Sequence, residues 1–83
     1  MKVTLKFFAS LREALGAGGA LDVPDGTTVA EVRRLLQGRD AAHAQALANG
    51  RALRCALNQV LCAESAVVPD GAELAFFPPV TGG

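Results

Sequence analysis

Residues 28–38, Thr28-Val29-Ala30-Glu31-Val32-Arg33-Arg34-Leu35-Leu36-Gln37-Gly38, decide how this chain folds. Thr28 and Glu31 stand at capping-box spacing, in which the hydroxyl accepts from the third helical amide and the carboxylate reaches back to the cap. Val29, Val32, Leu35 and Leu36 predict the apolar stripe of an amphipathic helix, with Arg33, Arg34 and Gln37 facing out and Gly38 as its stop. On either side of this helix the hydrophobic period changes to two. Upstream, Val3, Leu5 and Phe7 alternate with Lys2, Thr4, Lys6 and Phe8, which marks a strand with one apolar face. Ser10-Leu11-Arg12-Glu13 reads as another capping box, opening a short helix with Leu11, Ala14 and Leu15 on one face and Gly16 at its end. The glycine-rich loop Gly16-Ala17-Gly18-Gly19 leads to a short strand from Ala20 to Val23. Pro24-Asp25-Gly26 then turns the chain, Pro presetting φ and Gly accepting a positive one.

Downstream, Asp40 to Ala48 is alanine-rich and predicts a second, weaker helix stopped by Asn49-Gly50. From Leu53 the period returns to two, with Leu53, Cys55 and Leu57 on one face, and Asn58-Gln59 makes a tight turn into Val60-Leu61. Val67-Val68-Pro69-Asp70-Gly71 repeats the earlier turn chemistry. The last strand runs from Glu73 to Phe77, with Leu74 and Phe76 on the helix side and Ala75 and Phe77 on the other. Two strands, a helix and two or three more strands form an α+β order. One main helix packed across a small mixed sheet buries both apolar stripes most economically. With the first and last strands as neighbours, that is the β-grasp arrangement of ubiquitin. The expected division is a β-grasp domain over 1–79 and an extended, flexible C-terminal tail over 80–83.

Composition narrows the function. Eighty-three residues with 51% apolar and 19% charged content suit one globular domain. Eight basic and eight acidic residues cancel, which argues against a nucleic-acid partner, since phosphate contacts need a surplus of Lys and Arg. No apolar run is long enough for a membrane helix, and the alternating start Met1-Lys2-Val3-Thr4-Leu5-Lys6 predicts no signal peptide. Two cysteines are too few for a disulfide scaffold, so a cytoplasmic setting is expected. One His, no Tyr, no Trp and two serines leave no metal-ligand spacing, no phosphate loop and no Ser/His/Asp set. Metal ligands are therefore expected to be none, and no cofactor is expected to bind tightly. Cys55 on an inward strand face, and Cys62, read as structural thiols. His43 reads as a surface position of the alanine-rich helix, and Arg33, Arg34, Arg39, Arg51 and Arg54 as solvated charges.

The tail carries more information. Pro78 and Pro79 donate no ladder hydrogen bond, so the strand ends there and the chain leaves stiffly. The four residues beyond reach roughly 13 Å at about 3.3 Å each, and Gly82-Gly83 make a tip thin enough for a narrow channel. The segment Ala75-Phe76-Phe77-Pro78-Pro79-Val80-Thr81-Gly82-Gly83, preceded by Asp70-Gly71, resembles the C-terminus of the small subunits of molybdopterin synthase. Lys6-Phe7-Phe8-Ala9, Leu11-Arg12-Glu13, Leu15-Gly16, Thr28-Val29-Ala30-Glu31 and Ala56-Leu57-Asn58 are similar to the same family, so the likeness spans the chain.

The resemblance implies a sulfur carrier that is not catalytic alone. In that family an adenylating, ubiquitin-activating-like enzyme uses ATP to activate the terminal carboxylate, here that of Gly83. A sulfur donor converts the acyl-adenylate to a thiocarboxylate. The tail then enters the large synthase subunit, in a heterotetramer, and sulfur passes to a cyclic pyranopterin monophosphate in molybdenum cofactor biosynthesis. Gly82 and Gly83 would be the reacting end. Phe77, Pro78, Pro79, Val80, Thr81, Arg12 and Phe8 would meet the partner, Phe77 as an outward aromatic anchor beside the tail. Other readings remain open at this point: a carrier serving thiamine thiazole or another acceptor, and a ubiquitin-like binding or conjugation module.

Overall fold

The computed structural model describes residues 1–79. In chain order the elements are β1 (Lys2–Phe7), α1 (Ser10–Leu15), β2 (Gly18–Asp22), α2 (Val29–Gln37), α3 (Ala41–Ala46), β3 (Arg54–Leu57), β4 (Val60–Cys62) and β5 (Glu73–Phe77). The strands form a five-stranded mixed sheet in the order β2-β1-β5-β3-β4. β1 runs parallel to β5, with Leu5 opposite Leu74 and Phe7 opposite Phe76, and β5 pairs antiparallel with β3 on its other side. The last strand thus lies in the middle of the sheet beside the first, as the β-grasp reading requires. The predicted tail, 80–83, lies outside the described residues.

Period-two patterning does what it predicts. Val3, Leu5 and Phe7 of β1 and Leu74 and Phe76 of β5 are buried against Val29, Val32 and Leu36 of α2, while Lys2, Thr4 and Lys6 stay exposed. Phe7 and Phe76 stack with centroids 6.3 Å apart. The capping box of α2 is present in both directions: Glu31 N–H donates to Thr28 Oγ1, and Thr28 N–H donates to Glu31 Oε1. The amide bond to the carboxylate also holds Glu31 below the usual carboxylate range. Gly26 and Gly71 adopt φ of 84° and 77°, the conformation their Pro-Asp-Gly turns need. Asn58 and Gln59 both have positive φ, which makes the two-residue hairpin turn between β3 and β4.

Several expectations are corrected. The stripe of α2 is Val29, Val32, Arg33 and Leu36, an i, i+3, i+4, i+7 pattern; Arg33 is only 5% exposed and Leu35 is 52% exposed. Charge suggested that Arg33 faces solvent, but helical phase puts it inward. Its Nε donates to Leu47 O at 2.8 Å, its Nη2 to Ala48 O and Arg51 O, and its Nη1 pairs with Glu64. His43 is buried instead of lying on the surface. Asp40 caps α3 and accepts from both the His43 backbone N–H and ring nitrogen, and the His43 ring meets Phe7 edge-on. The amide hydrogen bond from His43 lowers the Asp40 pKa. Ser10 does not cap α1. Ala9 occupies that position at φ 54° without a side-chain bond, because the amides of Leu11 and Arg12 donate to Phe8 O and that of Glu13 to Ala9 O. Ala14 is exposed, leaving Leu11 and Leu15 as the inward pair. The second strand starts at Gly18, earlier than Ala20.

Candidate functional site

The outer face of the sheet, opposite α2, is built by alternation. On β5, Leu74 and Phe76 point to the core, so Ala75 and Phe77 point away. On β1 the same logic turns Lys6 and then Phe8 outward. On β3, Cys55 faces in and Ala56 faces out, directly opposite Ala75. The hairpin turn sets Leu57 against Val60 and therefore Ala56 against Leu61. These side chains line one shallow groove of about 340 Å³, bounded by Lys6, Phe8, Ala56, Gln59, Leu61, Glu73, Ala75 and Phe77. Leu61 is 65% exposed and Phe8 43%, while Phe77 is half-buried between them. Together they leave apolar side chains in water within one groove, which makes it the candidate site for association.

Polar groups sit at one edge. Lys6 Nζ and Glu73 Oε2 are 3.5 Å apart, and the ends of β5 and the hairpin are tied by Asn58 N–H to Glu73 O at 2.8 Å and Glu73 N–H to Asn58 Oδ1 at 3.0 Å. The Phe8 amide donates to Phe76 O at 3.2 Å, fixing the Phe8 backbone beside the end of β5. Phe77 is the last paired residue of β5, opposite Arg54, and Pro78 and Pro79 follow directly, both half-buried. Groove and tail root therefore share one strand.

Of the residues expected from the sequence, Phe8 and Phe77 come together in the groove, and Pro78 and Pro79 lie at its end. Arg12 is exposed on α1 and does not line it. Val80, Thr81, Gly82 and Gly83 lie outside the described residues. Leu61, Ala56, Gln59 and Lys6 are groove residues that the sequence reading passed over. The signal for Leu61 was the Asn58-Gln59 turn, since a two-residue hairpin fixes the register that sets Leu61 beside Ala56. Among the described residues, no three His, Cys, Asp or Glu side chains are grouped to hold a metal ion. No helix among them is long and apolar enough to cross a membrane. The groove can bind and orient a partner; its lining offers one ion pair and amides for chemistry.

Fold and groove together define a ubiquitin-like β-grasp domain with an apolar groove beside the end of its last strand. The chain belongs to the ThiS family, whose model matches residues 5–83. It is 38% identical over 81 residues to the molybdopterin synthase sulfur carrier subunit of Escherichia coli (strain K12), covering 98% of this chain and 99% of that one. It is 42% identical over 77 residues to the protein of the same name from Haemophilus influenzae, covering 93% and 94%. Among solved structures, SAMP1 from Haloferax volcanii superposes with a TM-score of 0.81 at 29% identity over the full length of both chains.

Proposed function

We propose that this chain is the sulfur-carrying small subunit of a molybdopterin synthase. The observation that supports it is that Phe77 lines the apolar groove at the end of β5 and that Pro78 and Pro79, which donate no ladder hydrogen bond, follow it directly. The names of the curated relatives support the same reading. A large subunit would cover Phe8, Leu61 and Phe77 and receive the last four residues, which span at most about 13 Å when extended. An adenylating enzyme would use ATP to turn the Gly83 carboxylate into an acyl-adenylate, a far better electrophile than the bare carboxylate. A sulfur donor would displace the adenylate and leave a thiocarboxylate, anionic at neutral pH and nucleophilic through sulfur. Its acceptor would be a cyclic pyranopterin monophosphate, with acids and bases supplied by the large subunit. The setting proposed for this exchange is the cytoplasm, where thiols stay reduced.

The test uses two variants that leave residues 1–79 intact: deletion of Gly83 and addition of one residue after it. Deletion withdraws the carboxyl by about 3.5 Å. Addition carries it past its seat and places a Cβ in the channel. Geometry errors near 1 Å already cost on the order of 100-fold in such reactions. Both variants are expected to fold and to bind the large subunit within about tenfold, a loss of about 1.4 kcal/mol at most. Both are expected to lose sulfur transfer after incubation with activating enzyme, ATP and a sulfur source. Intact mass should show a sulfur-for-oxygen exchange on the parent chain alone. Normal transfer by either variant refutes the carrier role, and a product linked to lysines of other proteins would favour the modifier reading instead.

A further inference from the structure

Behind the docking face, on the core side of the β3–β4 hairpin, two thiols that the carrier chemistry does not use face each other. Cys55 and Cys62 are directly opposite in the antiparallel register, and their Sγ atoms are 3.7 Å apart. The Cys55 thiol donates to Cys62 O at 3.2 Å. Opposed residues in such a ladder have Cα atoms about 4.5–5.5 Å apart, which lies within the roughly 4.4–6.8 Å span of a disulfide. Closure therefore calls for side-chain rotation and leaves the strand register unchanged. Access is unequal: Cys55 is buried and Cys62 half-buried, so a dissolved oxidant reaches Cys62 first.

We propose that Cys55 and Cys62 form a redox-active pair that closes a reversible cross-strand disulfide, with a small-molecule disulfide as oxidant. Cys62 thiolate attacks one sulfur of the oxidant RSSR, forming a mixed disulfide and releasing RS⁻. Cys55 then loses its proton to solvent and attacks Cys62 Sγ, forming the Cys55–Cys62 bond and releasing a second RS⁻. Both protein thiols are oxidised and RSSR is reduced to two thiols, so electrons balance. Burial, with the hydrogen bond and charge of Cys62 added, pushes the Cys55 thiol up to about 12, so Cys62 supplies the first attacking thiolate. Capping turns Cys62 Sγ, 3.7 Å from Cys55 Sγ, into an electrophile, so the second attack is intramolecular and at short range. The bond would fasten β4, a three-residue edge strand, onto β3. Ala56 and Leu61, the next pair along the hairpin, stand on the opposite face, so oxidation fixes the strand that presents Leu61 to the groove.

The experiment titrates the reduced, intact protein with glutathione disulfide, quenches with acid, and reads intact mass and iodoacetamide labelling after unfolding in denaturant. The parent chain is expected to lose two hydrogen atoms and both labelling sites, to hold no lasting glutathione adduct, and to recover both sites with dithiothreitol. Cys55→Ala is expected to accumulate the adduct on Cys62, and Cys62→Ala to gain neither adduct nor bond. Thermal melts by circular dichroism should place the oxidised form several degrees above the reduced form, because the link restricts the unfolded chain. A persistent adduct on the parent chain, a disulfide-linked dimer, or no change at millimolar oxidant would each overturn the pair. The parent titration decides the matter even where a variant folds poorly. Its readout involves neither Gly83 nor the large subunit, so its failure is distinct from failure of the carrier reading.

Discussion

Replacing Arg33 by Met should cost this domain a large part of its stability, although a charged residue is being exchanged for an apolar one of similar length. The guanidinium in the core holds residues 47–51 and Glu64 against α2 through Leu47 O, Ala48 O, Arg51 O and the Glu64 carboxylate. Methionine keeps the packing of the stem and removes every donor. Leu47 O keeps a bond from Gln37 Nε2 at 2.6 Å, so it is not orphaned, whereas Ala48 O and Arg51 O lose the donor that reaches them from α2. Glu64 is about a third exposed and can turn to water, which discounts the ion-pair share. Breaking a buried charged network by removing one partner costs about 3–5 kcal/mol. With these discounts a loss of about 3 kcal/mol follows, against a total of about 4–12 kcal/mol for a chain of this length. The melting midpoint should fall by roughly 12–24 °C, at about 4–8 °C per kcal/mol. Because the chain has no Trp or Tyr, the assay is urea unfolding followed by far-ultraviolet circular dichroism. A loss under about 0.5 kcal/mol would refute the assignment of Arg33 as an internal clamp, since that is the range of surface substitutions.

Gly18→Ala should be worse than Gly19→Ala by at least about 2 kcal/mol: a Cβ at Gly18 would meet Leu5 O at 2.0 Å with φ at +118°, whereas one at Gly19 meets nothing within 4 Å. Equal melts would disprove the close approach of β2 to β1. Phe77→Ala and Leu61→Ala should each weaken binding to the large subunit by roughly 2 kcal/mol in a calorimetric titration, with little change in melting temperature for the exposed Leu61 and a drop of several degrees for the half-buried Phe77; unchanged affinity would move the docking face elsewhere. Asp40 and Glu31 have folded pKa values below their ordinary ones, so their stabilisation is present above the ordinary carboxylate range and fades as pH falls through the folded values. Asp40→Asn should therefore flatten the acid limb of a stability-versus-pH curve, and an unaltered limb would contradict the His43 hydrogen bonds as its cause.

Much of this molecule was legible because its strands alternate and its turns carry their own chemistry. Thr28 and Glu31, the two Pro-Asp-Gly turns and the Asn58-Gln59 hairpin are local devices, and each forms as its sequence predicts. Errors arose where tertiary context overruled residue type. Arg33 sits on the apolar phase of α2 although its charge points to solvent; carbonyls from residues 47, 48 and 51 make its burial tolerable. The burial of His43 is not legible in the sequence because α3 is too short and too rich in alanine to show a face, and its neighbour Phe7 comes from a distant strand. Ser10 failed as a cap because the sharp turn at Ala9 supplies the backbone acceptors first. In the groove, Phe77 was readable from alternation alone, while Leu61 required combining alternation with hairpin register.

The place of β5 in the sheet bears on why a carrier would use this fold. A terminal strand at a sheet edge has one hydrogen-bonded neighbour, and its end frays readily. Here the terminal strand is central, bonded to β1 on one side and β3 on the other, with Leu74 and Phe76 fully buried beneath it. The direction in which the chain leaves at Phe77 is thereby set by the core, and Pro78 fixes one more backbone angle. In the proposed complex, contacts at Phe8, Leu61 and Phe77 would define where the chain beyond Pro79 starts relative to the partner. Each further residue that the partner holds in one conformation would cost roughly 1–2 kcal/mol of backbone entropy. Moving the anchor away from the tail root would lengthen the stretch to be held and raise the ordering cost with each added residue. The same four-residue tip is thus best served by an apolar groove that begins where the last strand ends, which is the arrangement that Phe77 and Pro78 create.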